Sequence, residues 1–120
     1  MKIVKHTGLK RIFFAAGYSV KGLCHNFVYE AAFRQEVIVA LILIPIALSV
    51  DVEKLERIVL IFSLMLVLLM ELLNTAIEAT VDRIGLEFHP LSGLAKDTGS
   101  AAVLMSVLLC LYTWVAVFFC

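Results

Sequence analysis

Two kinds of hydrophobic spacing divide this chain. Between residues 9 and 27, Leu9, Ile12, Phe13, Ala16, Val20, Leu23 and Phe27 recur at i, i+3, i+4 and i+7, which puts them on one face of a helix. Lys10, Arg11, Tyr18, Lys21 and His25 take the other side, with Phe14 interrupting them. A basic, aromatic-bearing amphipathic helix of this kind lies in the membrane interface. Beyond it the alternation stops and long apolar runs take over, as membrane-spanning helices require.

The first run extends over residues 31–50. Its uncharged part, Val37 to Val50, has 14 residues. Those cover about 21 Å at helical rise, short of the roughly 30 Å hydrocarbon core. The span must therefore draw on Ala31–Glu36, which brings Glu30, Arg34 and Glu36 to one interface. Pro45 is expected to kink it. Residues 51–57 form a tight polar connection, with Asp51 as the expected N-cap of the next helix. That second span covers 53–84 and ends at Gly85, a C-cap residue. A breaker-rich loop over 85–93 follows, with Ser92 as the expected cap of a third span over 94–119. Gly99, Ser100, Ala101 and Ala102 on that span allow close helix packing. The pattern predicts an all-α membrane protein, one domain over residues 1–120, with three transmembrane helices and an N-terminal interfacial helix.

Composition agrees: 62% of the 120 residues are apolar and only 17% are charged, so each charge inside a span calls for a reason. The formal net charge is zero, and no global field favours nucleic acid. Cys24, Cys110 and Cys120 are odd in number and lack metal-ligand spacing, which supports neither a disulfide framework nor a zinc site. The N-terminus lacks the pattern of a cleaved signal peptide. Six Lys/Arg fall within residues 1–36, while the 51–57 connection is net negative. The positive-inside rule then puts the N-terminus and the 83–97 loop in the cytoplasm.

The chemistry concentrates at that cytoplasmic end. Glu71, Asn74, Glu78 and Asp82 interrupt the second span, and at about 100° per residue they fall within an arc of roughly 80°. Glu30 and Glu78, facing each other from the ends of two spans, can hold Mg²⁺, which favours one or two carboxylates with waters and substrate phosphates. Glu71 lies deeper, where a carboxylate can act as general base toward a hydroxyl presented from the lipid. Arg11, Arg34 and Lys96 can offset phosphate charge, and Asn74 can orient either partner. Blander roles compete: Glu30–Arg34 as a helix-surface pair, Asp97 as decoration of a helix start, and His89 as a loop residue. No G-x-x-x-x-G-K-[ST] or G-x-G-x-x-G motif is present. The residues alone define a cation- or proton-dependent membrane protein, with a small proton-coupled transporter or a structural subunit still open beside an enzyme.

Three stretches carry a resemblance to a family: Arg11 to Leu23, Glu30 to Glu36, and Glu71 to Gly85 with His89 to Val103. They resemble the small prokaryotic integral-membrane diacylglycerol kinases, above all in the pattern E-x-x-N-[ST]-A-[IV]-E-x-x-[VI]-D at Glu71–Asp82. The resemblance implies a homotrimer in the inner membrane that phosphorylates diacylglycerol with ATP to give phosphatidic acid. An undecaprenol-type lipid alcohol is the alternative substrate, as in some relatives. It further implies Glu71 as catalytic base and Asn74 as an active-site polar group, with Glu30 and Glu78 binding Mg²⁺. Nucleotide-site positions match Arg11, Tyr18, Glu30, Glu78, Glu87, His89, Lys96 and Asp97. Lipid-substrate positions match Arg11, Ala16, Gly17, Ser19, Ala32, Phe33, Arg34, Gln35, Glu36, Glu71 and Ser100. The chain departs from the pattern at Phe14, Cys24, Phe88 and Pro90, where relatives often carry lysine, arginine, tyrosine and an acidic residue.

Overall fold

A computed structural model describes residues 6–120, and over these the chain is four helices: α1 (Gly8–Tyr29), α2 (Ala31–Ser49), α3 (Lys54–Ile84) and α4 (Pro90–Phe119). The last three are long and apolar enough to cross a membrane. α1 opens on Gly8 at φ 66°, a left-handed conformation that strains any side-chain-bearing residue. Its apolar stripe finds little cover within the chain: Leu9, Ile12 and Phe13 remain largely exposed. A helix that leaves such a face open needs lipid or another chain against it. Phe14, the apparent intruder on the polar face, stacks between His6 and Tyr18, with ring centroids at 4.3 and 6.4 Å.

α1 and α2 are separated by one residue. Glu30, at φ −108° and ψ 105°, is at once the last cap of α1 and the first of α2. Its N–H donates to Asn26 O, and its carbonyl accepts from Arg34 N. The Arg34 side chain reaches back across this joint and donates from Nη1 to Phe27 O and Val28 O, both at 2.9 Å. Two of the carbonyls that a helix end leaves unpaired are thereby satisfied by a charged donor.

α2 runs helically through Pro45. It packs on α3 through small residues: Ala40 and Ala47 are buried against a core that includes Phe33, Leu60, Leu64 and Val67. Small side chains let two backbones approach, which supplies the packing that drives association in a medium without hydrophobic contrast. At the far end Arg57 plays a part like that of Arg34, donating to Ala47 O at 2.8 Å and Leu48 O at 2.7 Å.

The helix starts differ from those the sequence predicts. The N-cap of α3 is Glu53 rather than Asp51, in a reciprocal capping box with Glu56, whose Oε1 accepts the Glu53 N–H at 3.0 Å. α4 begins at Pro90 rather than near residue 94, and its cap is His89 rather than Ser92. His89 Nδ1 accepts the Leu91 N–H at 3.1 Å. Proline reads as a breaker, yet at the first helical position its missing N–H costs nothing. The loop between α3 and α4 thus shrinks to 85–89. α3 does end at Gly85, whose N–H returns to Val81 O.

α3 and α4 share the most extensive interface in the chain. Trp114 Nε1 donates to Leu60 O at 3.3 Å, and Ser63 Oγ meets Cys110 Sγ at 3.5 Å. Each helix is about 45 Å long, from 31 and 30 residues at 1.5 Å rise. That exceeds a hydrocarbon core of roughly 30 Å. Placing the apolar stretch Ile58–Met70 in the core leaves the turns around Glu78 and Asp82, and those around Lys96, at the membrane boundary.

Candidate active site

The site forms where the C-terminal third of α3 passes the start of α2. Each α3 turn adds one polar group to the same face, in the order Glu71, Asn74, Glu78 and Asp82. Glu71 is buried, at 9% exposure. The carboxyl of Glu36, one and a half turns into α2, meets that of Glu71, and the charges of Glu78 and Glu30 reach Glu71 as well. Four carboxyl groups from two helices and the joint between α1 and α2 therefore act on one place. One of them, Glu36, has its Oε2 buried with no hydrogen-bond partner. Such a cluster is costly unless protons or a cation offset it.

Asn74 organises the middle of the stripe. Its Nδ2 donates to Glu78 Oε1 at 2.8 Å. A carboxylate only accepts, so this contact fixes which way the amide points. One turn further, Asp82 is paired with Lys96 of α4 at 2.7 Å, both side chains being nearly half exposed. That is the one ion pair among the described residues, so Glu30, Glu36, Glu71 and Glu78 have no basic partner of their own there. Among the described residues no three His, Cys, Asp or Glu side chains converge to ligate an ion unaided.

Two cavities lie near the cluster, one touching it at Glu36 and the other one turn beyond Glu78 at Asp82. In the latter, Glu87, His89 and Lys96 share a pocket of about 320 Å³ with Asp82, Phe88 and Gly93. Glu87 folds back over Gly85, where a Cβ would stand 2.8 Å from its Oε1. On the lipid side, Gln35 and Glu36 head an apolar pocket of about 300 Å³ that runs past Val67 and Cys110 to Trp114. The sequence reading had no place for Cys110 or Trp114. A lone tryptophan in an apolar run offers no periodic signal, and only the fold brings it beneath Glu36.

Other expected site residues fall elsewhere in the chain. Arg11, Ala16, Gly17, Tyr18 and Ser19 lie on the exposed part of α1. Asp97 and Ser100 are exposed on α4, and Ala32 is exposed on α2. Phe33 is buried in the helix packing. Arg34 does not pair with Glu30 in the i, i+4 manner; its guanidinium holds the end of α1.

The fold and this cluster define a protein with three helices long and apolar enough to cross a membrane and an acidic cluster where α3 passes the start of α2. The comparisons name the lineage. The profile of the prokaryotic diacylglycerol kinases matches residues 17–118. Relatives include the diacylglycerol kinase of Escherichia coli K12, 55% identical over 90% of this chain and 88% of its own length. The diacylglycerol kinase of Pseudomonas aeruginosa is 51% identical over 92% and 90%, and that of Haemophilus influenzae 44% identical over 96% and 98%. The chain belongs to the prokaryotic diacylglycerol kinase family.

Proposed function

We propose that this protein is a diacylglycerol kinase, transferring the γ-phosphoryl group of ATP to the free hydroxyl of diacylglycerol to give phosphatidic acid. The observation that carries this reading is the run of carboxyl groups from Glu36, which heads an apolar pocket, along α3 to Asp82, which lines a pocket holding Glu87, His89 and Lys96. A water-borne nucleotide and a membrane-borne alcohol can each approach from its own phase and meet there.

Glu71 lies about 10 Å deeper along α3 than Glu78, from seven residues at 1.5 Å rise. In this scheme it takes the proton of the lipid hydroxyl as that oxygen attacks the γ-phosphorus. The new O–P bond forms, the bond from the γ-phosphorus to the bridging oxygen breaks, and ADP departs with the bonding electrons. Glu30 and Glu78 would hold the divalent ion. They fit it chemically: both are carboxylates without a basic partner among the described residues, and two carboxylates with substrate phosphates are what Mg²⁺ takes. When bound, that ion neutralises charge on the β- and γ-phosphates. Asn74 holds the Glu78 carboxyl through the bond from its Nδ2 to Oε1. Glu87, His89 and Lys96 receive the nucleotide, with Asp97 beside them in sequence; Arg11 and Tyr18 of α1 are assigned to the same substrate. Gln35 and Glu36 meet the glycerol end of the lipid, whose chain follows the apolar pocket toward Trp114. The remaining lipid contacts are assigned to Ala16, Gly17, Ser19, Ala32, Phe33, Arg34 and Ser100.

The whole chain acts as one domain, and the working unit is a homotrimer. The described residues form a slab 54 × 41 × 23 Å. A slab that thin leaves charged groups near lipid unless copies cover them. The cytoplasmic (inner) membrane is its place, with α1 and the 85–89 loop facing the cytoplasm, where ATP is. The test is purified protein in mixed micelles with Mg-ATP and dioleoylglycerol, scored for labelled phosphatidic acid, with undecaprenol in a parallel reaction. Labelled phosphatidic acid is expected. Faster labelling of undecaprenol would reassign the lipid, and labelling of neither would reject the kinase reading.

A further inference from the structure

Gly99 is buried on α4 and faces Asn74 of α3. A Cβ built there collides with Asn74 Oδ1, while the next nearest atoms, Asn74 Cγ at 3.4 Å and Ile77 Cδ1 at 3.6 Å, are at ordinary contact distances. The oxygen in question is itself unusual: it is buried and has no hydrogen-bond partner. An amide that gave up a hydrogen bond on one end must be held there by what its other end gains. That gain is the 2.8 Å bond from Nδ2 to Glu78 Oε1.

We propose that Gly99 is a positioning residue of the active site: by lacking a side chain it lets Asn74 lie flat between α3 and α4 and so orient Glu78. The clash that a methyl group creates falls on the far end of a short side chain rather than on backbone. It is relieved by swinging the amide away, which leaves the helices packed but breaks the bond to Glu78. Glycine at 99 is thus required by the carboxylate on the neighbouring helix and not by helix packing as such. This extends the assignment of Glu78 to the metal–nucleotide complex and rests on it.

The experiment measures Mn²⁺ binding by electron paramagnetic resonance, on the purified oligomer in detergent with a non-hydrolysable ATP analogue. The variants are G99A, N74A, the double variant and E78Q. G99A and N74A are each expected to weaken binding about tenfold or more, the weight of one hydrogen bond to a charged group. The double variant should bind no worse than N74A alone, because the methyl group then has nothing to displace. Native affinity in G99A alongside a weakened E78Q overturns the proposal. So does a double variant whose loss is the product of the two single losses, since Gly99 would then act by packing. If E78Q itself binds as tightly as the native protein, the metal assignment falls, and the route from Gly99 falls with it. Failure of G99A to assemble also overturns the proposal, since Gly99 would then be required by helix packing.

Discussion

Replacing Glu71 by glutamine separates two effects that usually move together. In the native chain the Glu71 carboxyl is buried and faces the carboxyl of Glu36, with the charges of Glu78 and Glu30 acting on it from farther off. Glutamine keeps the shape, removes one of the four like charges and offers an N–H to Glu36, whose Oε2 has no partner. The charges of Glu78 and Glu30 then no longer act on a carboxylate at position 71, so the fold should be at least as stable as the native one. Activity should move the other way, because an amide cannot take the proton of the lipid hydroxyl. Loss of a general base lowers kcat by a factor on the order of 10²–10⁴, equivalent to roughly 3–5 kcal/mol of barrier. The assay pairs kcat in mixed micelles, at saturating ATP and dioleoylglycerol, with thermal unfolding of the same preparations in detergent. A less active but equally or more stable protein is expected. If kcat stays within a few-fold of native, or if stability falls in step with activity, Glu71 is a structural or positioning group and the base assignment is wrong.

Glu30→Gln and Glu78→Gln should each raise the Mg²⁺ concentration needed for half-maximal rate by about tenfold, the loss of one anionic ligand from a site with two; unchanged magnesium dependence in both removes them from the metal site. Arg34→Met deletes both bonds to the end of α1 and, at a half-exposed position, should cost on the order of 1–2 kcal/mol. Native resistance to unfolding, paired with a selective loss of lipid affinity, would instead make Arg34 a substrate contact. Trp114→Ala should raise the lipid KM several-fold while leaving the ATP KM unchanged, because it opens one wall of the apolar pocket far from Glu87 and Lys96. Equal changes in both constants would mean that the Trp114–Leu60 bond matters for folding rather than for lipid.

The spans were legible because bilayer length and apolar runs leave few alternatives, and the acidic stripe was legible because 100° per residue is a rigid rule within one helix. What escaped needed either a second helix or a local competition. Glu36 and Glu71 are far apart in sequence, and nothing in either segment announces that they touch. Arg34 was read against Glu30 because i+4 neighbours meet on a continuous helix, but the break at Glu30 turned it toward Phe27 and Val28. Asp51 is the better cap by residue type, yet Glu53 wins because Glu56 completes the reciprocal box. The expected start of α4 near residue 94 is late because Pro90 reads as a breaker, although proline suits the first helical position. The nucleotide assignments rest on the family resemblance, since two carboxylates able to hold Mg²⁺ do not by themselves specify ATP.

The one-residue joint at Glu30 has a consequence for how this chain tolerates insertions and deletions. Between α2 and α3, or between α3 and α4, several non-helical residues can absorb an added or missing amino acid. At Glu30 there is no slack. One residue inserted between Tyr29 and Ala31 either lengthens a helix, turning everything beyond it by about 100°, or loosens the corner. In both cases Arg34 loses its register with Phe27 and Val28, and the Glu30 carboxyl leaves the direction of Glu71. The number of residues from Phe27 to Arg34 is therefore itself a structural constraint on this chain, separate from the identity of any one of them.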